Sequence, residues 1–158
     1  MTTANQHIET FKATAQGTGW PTMVAITDTT WNIQVDEPEE DGGNNSGPNP
    51  MQYFAASLAG CQNEQAQVVA EELSLSIEKI YIDLEIDLDL AGFMGEADHS
   101  NGSYKNVRMK ATVQGDCTAD QVAELGKKVN ARCPILGLLR SSGCKIDSTW
   151  TKWLDSTI

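Results

Sequence analysis

Between positions 80 and 90 the chain alternates without a fault. Ile80, Ile82, Leu84, Ile86, Leu88 and Leu90 point one way, while Tyr81, Asp83, Glu85, Asp87 and Asp89 point the other. A period of two is the period of a strand, so this spacing predicts a half-buried antiparallel strand with an acidic outer face. Val107, Met109, Ala111 and Val113 repeat the pattern, with Arg108 and Lys110 outward. An acidic face on one strand and a basic face on the next predict cross-strand charge pairs. Nearer the start, Trp31, Ile33 and Val35 alternate with Asn32 and Gln34. Residues 7–15 and 23–27 are weaker strand-like pieces, and residues 146–153 read as a final strand.

Helical spacing takes over after Pro50. Met51, Phe54, Leu58, Cys61, Ala66, Val69 and Leu73 form one stripe over residues 50–73, and the stripe turns polar at the thiol, in Gln62-Asn63-Glu64-Gln65. Asn49 suits the N-cap, Pro50 the first helical position, and Gln52 the third, where its side chain completes a capping box. Thr118 caps a second helix that buries Val122, Leu125 and Val129. Cys133-Pro134 opens a short third helix ending near Gly143.

Residues 36–49, rich in Glu, Gly, Asn and Pro, form a loop. Its acidic cluster (Asp36, Glu37, Glu39, Glu40, Asp41) reads as a solvated turn rather than a metal cage. Residues 91–104 are long for a hairpin connection, and their Phe93, Met94 and Tyr104 could close over a pocket. Helices interspersed among antiparallel strands define an α+β domain, and 158 residues are enough for one domain with a core, taken as residues 1–158.

Composition narrows the partners. The net charge is −11, from 22 acidic and 11 basic residues, a field that repels nucleic acid and anionic lipid. No apolar run is long enough to span a membrane, and the first residues lack the basic and apolar regions of a secretory signal. The expected location is cytoplasmic, and the expected partners include neither nucleic acid nor membrane.

Four cysteines occur, at 61, 117, 133 and 144, without a C-x-x-C pair, and the only histidines are His7 and His99. That set does not predict a structural metal site. In a reducing compartment the cysteines are free thiols. Two of them, Cys61 and Cys133, are far apart in sequence and lie on or at the start of a helix, which points to redox chemistry. Cys133 occupies an N-cap, where the positive helix end favours a thiolate. Cys61 lies about three turns into its helix and needs a side-chain partner. A buried cysteine on an apolar helix face is also a common small hydrophobe. Cys117 and Cys144 read as structural.

The segments that carry these cysteines resemble the OsmC/Ohr family, the osmotically inducible protein C and organic hydroperoxide resistance proteins. The resemblance rests on residues 37–43 (EPEEDGG) with 47–61 (GPNPMQYFAASLAGC), on 87–95 (DLDLAGFMG), on Asn106-Val107-Arg108, and on 131–136 (ARCPIL). It runs in order over about residues 30–150. It implies an OsmC-like fold, antiparallel sheets wrapped around central helices, in an intertwined homodimer with sites at the subunit interface. It implies a thiol-dependent peroxidase that reduces organic hydroperoxides or another small apolar substrate. Cys61 is then the peroxidatic thiol and Cys133 the resolving thiol, recycled by an external dithiol without a metal or organic cofactor.

Two departures stand out. The family's peroxidases carry a glutamate where this chain has Gln52. They also carry an N-terminal arginine at the thiol, whereas residues 1–107 here contain no arginine. Gln52 can donate a hydrogen bond but cannot anchor an arginine by charge. Glu64, one turn after Cys61, would oppose a thiolate there if it pointed inward, and Arg132 or Arg108 could serve as a substitute cation. The alternative is a catalytically weak redox-sensing or small-molecule-binding protein.

Overall fold

The computed structural model describes residues 8–96 and 102–153. They form two compact units, divided between Tyr53 and Phe54. His7 and His99 lie outside the described residues, as does part of the 91–104 connection.

The first unit is a three-stranded antiparallel sheet of β1 (Ala13–Gln16), β2 (Thr22–Ile26) and β3 (Asn32–Val35), in that order. The first strand begins later than residues 7–15 suggested, and Trp31 precedes β3 with 72% of its surface exposed. Val24 and Ile33 are cross-strand partners on one face. They line an open apolar groove of about 450 Å³ with Trp20, Val35, Pro50 and Tyr53. The loop after β3 is not simply a solvated turn. Asp36 is fully buried, and its carboxylate accepts from the backbone N–H groups of Glu37, Asn44 and Ser46 and from the Ser46 hydroxyl. Gly43 is required there, because a Cβ would fall 2.0 Å from the Glu37 carbonyl oxygen.

The second unit carries most of α1 (Pro50–Glu72), then β4 (Ser76–Asp89), α2 (Leu90–Phe93), β5 (Ser103–Asp116), α3 (Ala119–Arg132), α4 (Pro134–Ser141) and β6 (Lys145–Lys152). The long alternation becomes β4, although Leu90 leaves the strand to open α2, where Asp89 caps the turn. β5 already includes Tyr104, whose ring stacks on Phe54 at 4.7 Å, while Phe93 and Met94 stay 68% and 71% exposed. The charge pairs run across the outer face. Glu85 stands opposite Arg108 and Asp83 opposite Lys110, and Arg108 also grips Asp87. Arg108 and Asn106 hold the Asp87 carboxyl down at about 2.

One expectation fails. β6 runs parallel to β5, so this sheet, ordered β4-β5-β6, is mixed rather than antiparallel. The reason lies between the strands: α3 and α4 make a helical crossover, which carries the chain from the end of the sheet where β5 finishes back to the end where β5 began, so that β6 runs parallel to it.

The core lies on the sheet's inner face. β5 supplies Val107, Met109, Ala111 and Val113, the helices supply Leu58, Val69, Val122, Leu125, Val129 and Leu136, and Trp150 comes from β6. Each fully buried valine or leucine contributes about 1.5–3 kcal/mol. Gly126 lets α3 close on the sheet, since a Cβ there would sit 2.3 Å from the Trp150 ring.

Candidate functional site: two sulfurs on one helix end

α1 starts as its sequence dictates. The Asn49 side chain accepts from the Gln52 N–H, and the Gln52 side chain accepts from the Asn49 N–H, both at 2.9 Å. The Gln52 amide is thus engaged in the capping box. Down the helix, Leu58, Gln62, Ala66, Val69 and Ala70 are buried, and Cys61 is half-buried beside that stripe. Met51, assigned to the stripe from its spacing, is exposed. The third helix stops at Ser141, just short of the expected end.

Cys133 is the hinge between two helices. It closes α3, donating its N–H to the Val129 carbonyl, and it caps α4, its sulfur accepting from the Leu136 N–H at 3.5 Å. Pro134 follows at the first helical position, where its missing N–H leaves nothing unpaired. The side chain is 2% exposed.

The two sulfurs meet. Cys133 Sγ lies 3.1 Å from Cys61 Sγ, within hydrogen-bond reach for sulfur, although 72 residues separate them. Both remain free thiols, as do Cys117 and Cys144, which lie buried elsewhere in the core. Sequence reasoning missed a further influence on Cys61, the backbone amide of Ile135, which draws its thiol down. Cys61 is too deep in its own helix to feel that helix's positive end, but it sits at the positive end of α4. In the first turn of α4 the Leu136 amide thus reaches Cys133, and the Ile135 amide acts on Cys61.

The rest of the surroundings oppose ionisation of Cys61. Burial, first of all, then the contact with Cys133 and its charge, and more weakly Glu64, push the thiol from 9.0 up to about 11, against the Ile135 amide. No substitute arginine offsets this. The chain has three arginines. Arg132, next to Cys133, makes a two-pronged pair with Glu72, both contacts at 2.7 Å. Arg108 is held by Glu85 and Asp87 on β4, and Arg140 reaches the Asn130 carbonyl.

One side chain gave no warning in the sequence. Gln62 is fully buried, and neither end of its amide has a hydrogen-bond partner among the described residues. Its only sequence signal is its position, four residues after Leu58 and four before Ala66. No group of three or more metal-binding side chains occurs among the described residues, and no described helix is long and apolar enough to cross a membrane.

Comparison with known proteins agrees with this architecture. The family described as OsmC-like protein matches residues 43–149, and the chain belongs to that family. Similar solved structures include an OsmC-like protein from Mycoplasma pneumoniae, at TM-score 0.78 and 16% identity over 92% of this chain and 99% of that one. An organic hydroperoxide resistance protein OsmC from Legionella pneumophila is similar at TM-score 0.71 and 25% identity, covering 94% of this chain and all of that one. The organic hydroperoxide resistance protein OhrB of Bacillus subtilis is similar at TM-score 0.60 and 24% identity, over 92% and 98% of the two chains. At these identities the likeness establishes the fold. No curated protein sequence matches the chain.

Proposed function

We propose that this protein is a thiol-dependent peroxidase that reduces organic hydroperoxides. The carrying observation is the 3.1 Å contact between Cys61 and Cys133. Cys61, the more accessible sulfur, attacks the hydroxyl-bearing oxygen of the peroxide. The O–O bond breaks, Cys61 becomes a sulfenic acid and the alcohol leaves. Cys133 then attacks the Cys61 sulfur, the S–O bond breaks, water leaves and a Cys61–Cys133 disulfide remains. An external dithiol in the reducing cytoplasm restores both thiols. No metal or organic cofactor enters these steps. The family of the chain and the names of its structural relatives support this reading.

The test is consumption of cumene hydroperoxide with a dithiol reductant. Turnover is expected for the wild type, falling to the protein-free background in Cys61→Ser. A Cys61→Ser protein that consumes peroxide at the wild-type rate would rule the proposal out.

A second reading has one observation in its favour. The Cys61 thiol is pushed up to about 11, and all three arginines are engaged elsewhere. That suits a redox sensor or small-molecule-binding protein with little turnover. Its signature would be a wild type no faster than Cys61→Ser in the same assay.

A further inference from the structure

Among the described residues no cation acts on Cys61, yet the reading above asks Cys61 to act as a nucleophile. The geometry points to the second sulfur as the answer. We propose that Cys133 acts in the first chemical step as well as the second: the two thiols share one negative charge, and Cys133 takes the Cys61 proton as Cys61 attacks. This rests on the peroxidase reading and adds a role for Cys133 before any disulfide forms.

Three features carry it. The sulfurs lie at 3.1 Å, so a proton can pass between them without rearrangement. The first turn of α4 donates the Leu136 N–H to the Cys133 sulfur, and its Ile135 amide favours the charged form of Cys61, so charge is supported on either sulfur. The cations that could compete are placed elsewhere: Arg132 at the end of α3 is paired with Glu72, Arg140 is at the far end of α4, and the charged side chain acting on Cys61 from α1 is Glu64, which repels. Two thiols this close lose their protons as a pair. The first loss leaves a monoanion bridged by the remaining proton, and the second is strongly resisted.

The balance closes. In the monoanion the remaining proton lies between the two sulfurs. As Cys61 attacks, this proton passes to Cys133, the S–O bond forms and the O–O bond breaks. The departing alkoxide then takes the proton from Cys133 and leaves as the alcohol. Cys133 is again a thiolate, ready to attack the Cys61 sulfenic acid.

Cys133→Ser separates this role from simple resolution. Serine is a favoured N-cap, so α4 is retained, which circular dichroism checks. With stoichiometric cumene hydroperoxide and dimedone trapping, Cys61 oxidation at pH 7 is expected to be at least tenfold slower in the variant, with the gap closing above pH 10. Iodoacetamide labelling of Cys61, which involves no peroxide, should show the same difference, with the variant's rate rising at a higher pH than the wild type's. Equal or faster labelling in the variant across the pH range would overturn the proposal. If labelling differs as expected while peroxide oxidises neither protein, the shared charge stands and the hydroperoxide reading falls.

Discussion

At the residue scale, the same backbone chemistry serves two acidic groups in different ways. In the second unit, the Leu136 amide of α4 meets the Cys133 sulfur, and the Ile135 amide draws the Cys61 thiol down. In the first unit, three loop amides and a hydroxyl meet the Asp36 carboxylate, and the Ser46 hydroxyl does most to hold its carboxyl down, from 3.8 to about 2. A depressed carboxyl stabilises the folded state above its unfolded value, and that stabilisation is lost as the pH falls through the folded value. Asp36→Asn is therefore expected to lower the melting temperature at pH 7, with a loss that shrinks between about pH 4 and pH 2, where the wild type loses its own advantage. An Asp36→Asn protein equally destabilised at pH 7 and pH 2 would show that the carboxylate charge has no such part. Residues of this kind are only partly legible in a sequence. Asp36 stood in an acidic run that suggested solvent, and only the loop's closure puts it at the centre of its amides. Cys61 and Cys133 could be singled out because helix-start and family patterns surround them. The Ile135 amide could not, since backbone donors carry no sequence label. Nor could Gln62, because a polar residue at an apolar spacing reads as a break in the stripe.

At the scale of elements, helix starts and the β4–β5 pairing were legible, and the direction of the last strand was not. Capping chemistry placed the starts of α1 and α3: the boxes Asn49–Gln52 and Thr118–Gln121 both form. Alternation placed β4 and β5, including their complementary outer faces. The direction of β6 was not legible, because a strand's own pattern is the same whether its neighbour runs with it or against it. The deciding feature was the connection, and the α3–α4 crossover carries the parallel signal. Cys133 shows what that crossover does for the site. By closing α3 and opening α4 with one residue, the chain turns the start of α4 toward Cys61. Arg132 and Glu72, the last residues of α3 and α1, fasten the two helix ends together.

At the scale of the whole molecule, the described chain leaves large apolar side chains on its surface, among them Phe11, Trp31, Phe93, Met94 and Leu138, each more than 60% exposed. A second copy that covered some of them would remove apolar surface from water. We propose that the working form is the intertwined homodimer. Sedimentation velocity at micromolar concentration is expected to return twice the chain mass of 17.1 kDa, and a monomer would contradict it.

The whole account turns on two sulfurs reaching each other through one helix end. The direct measurement is a peptide map of the wild-type protein, run without reductant after one equivalent of cumene hydroperoxide. The account predicts a single cross-link joining the Cys61 and Cys133 peptides, with Cys117 and Cys144 still reactive as free thiols. A map in which Cys61 is oxidised to the sulfinic acid while Cys133 stays free, or in which another pair is joined, would contradict it.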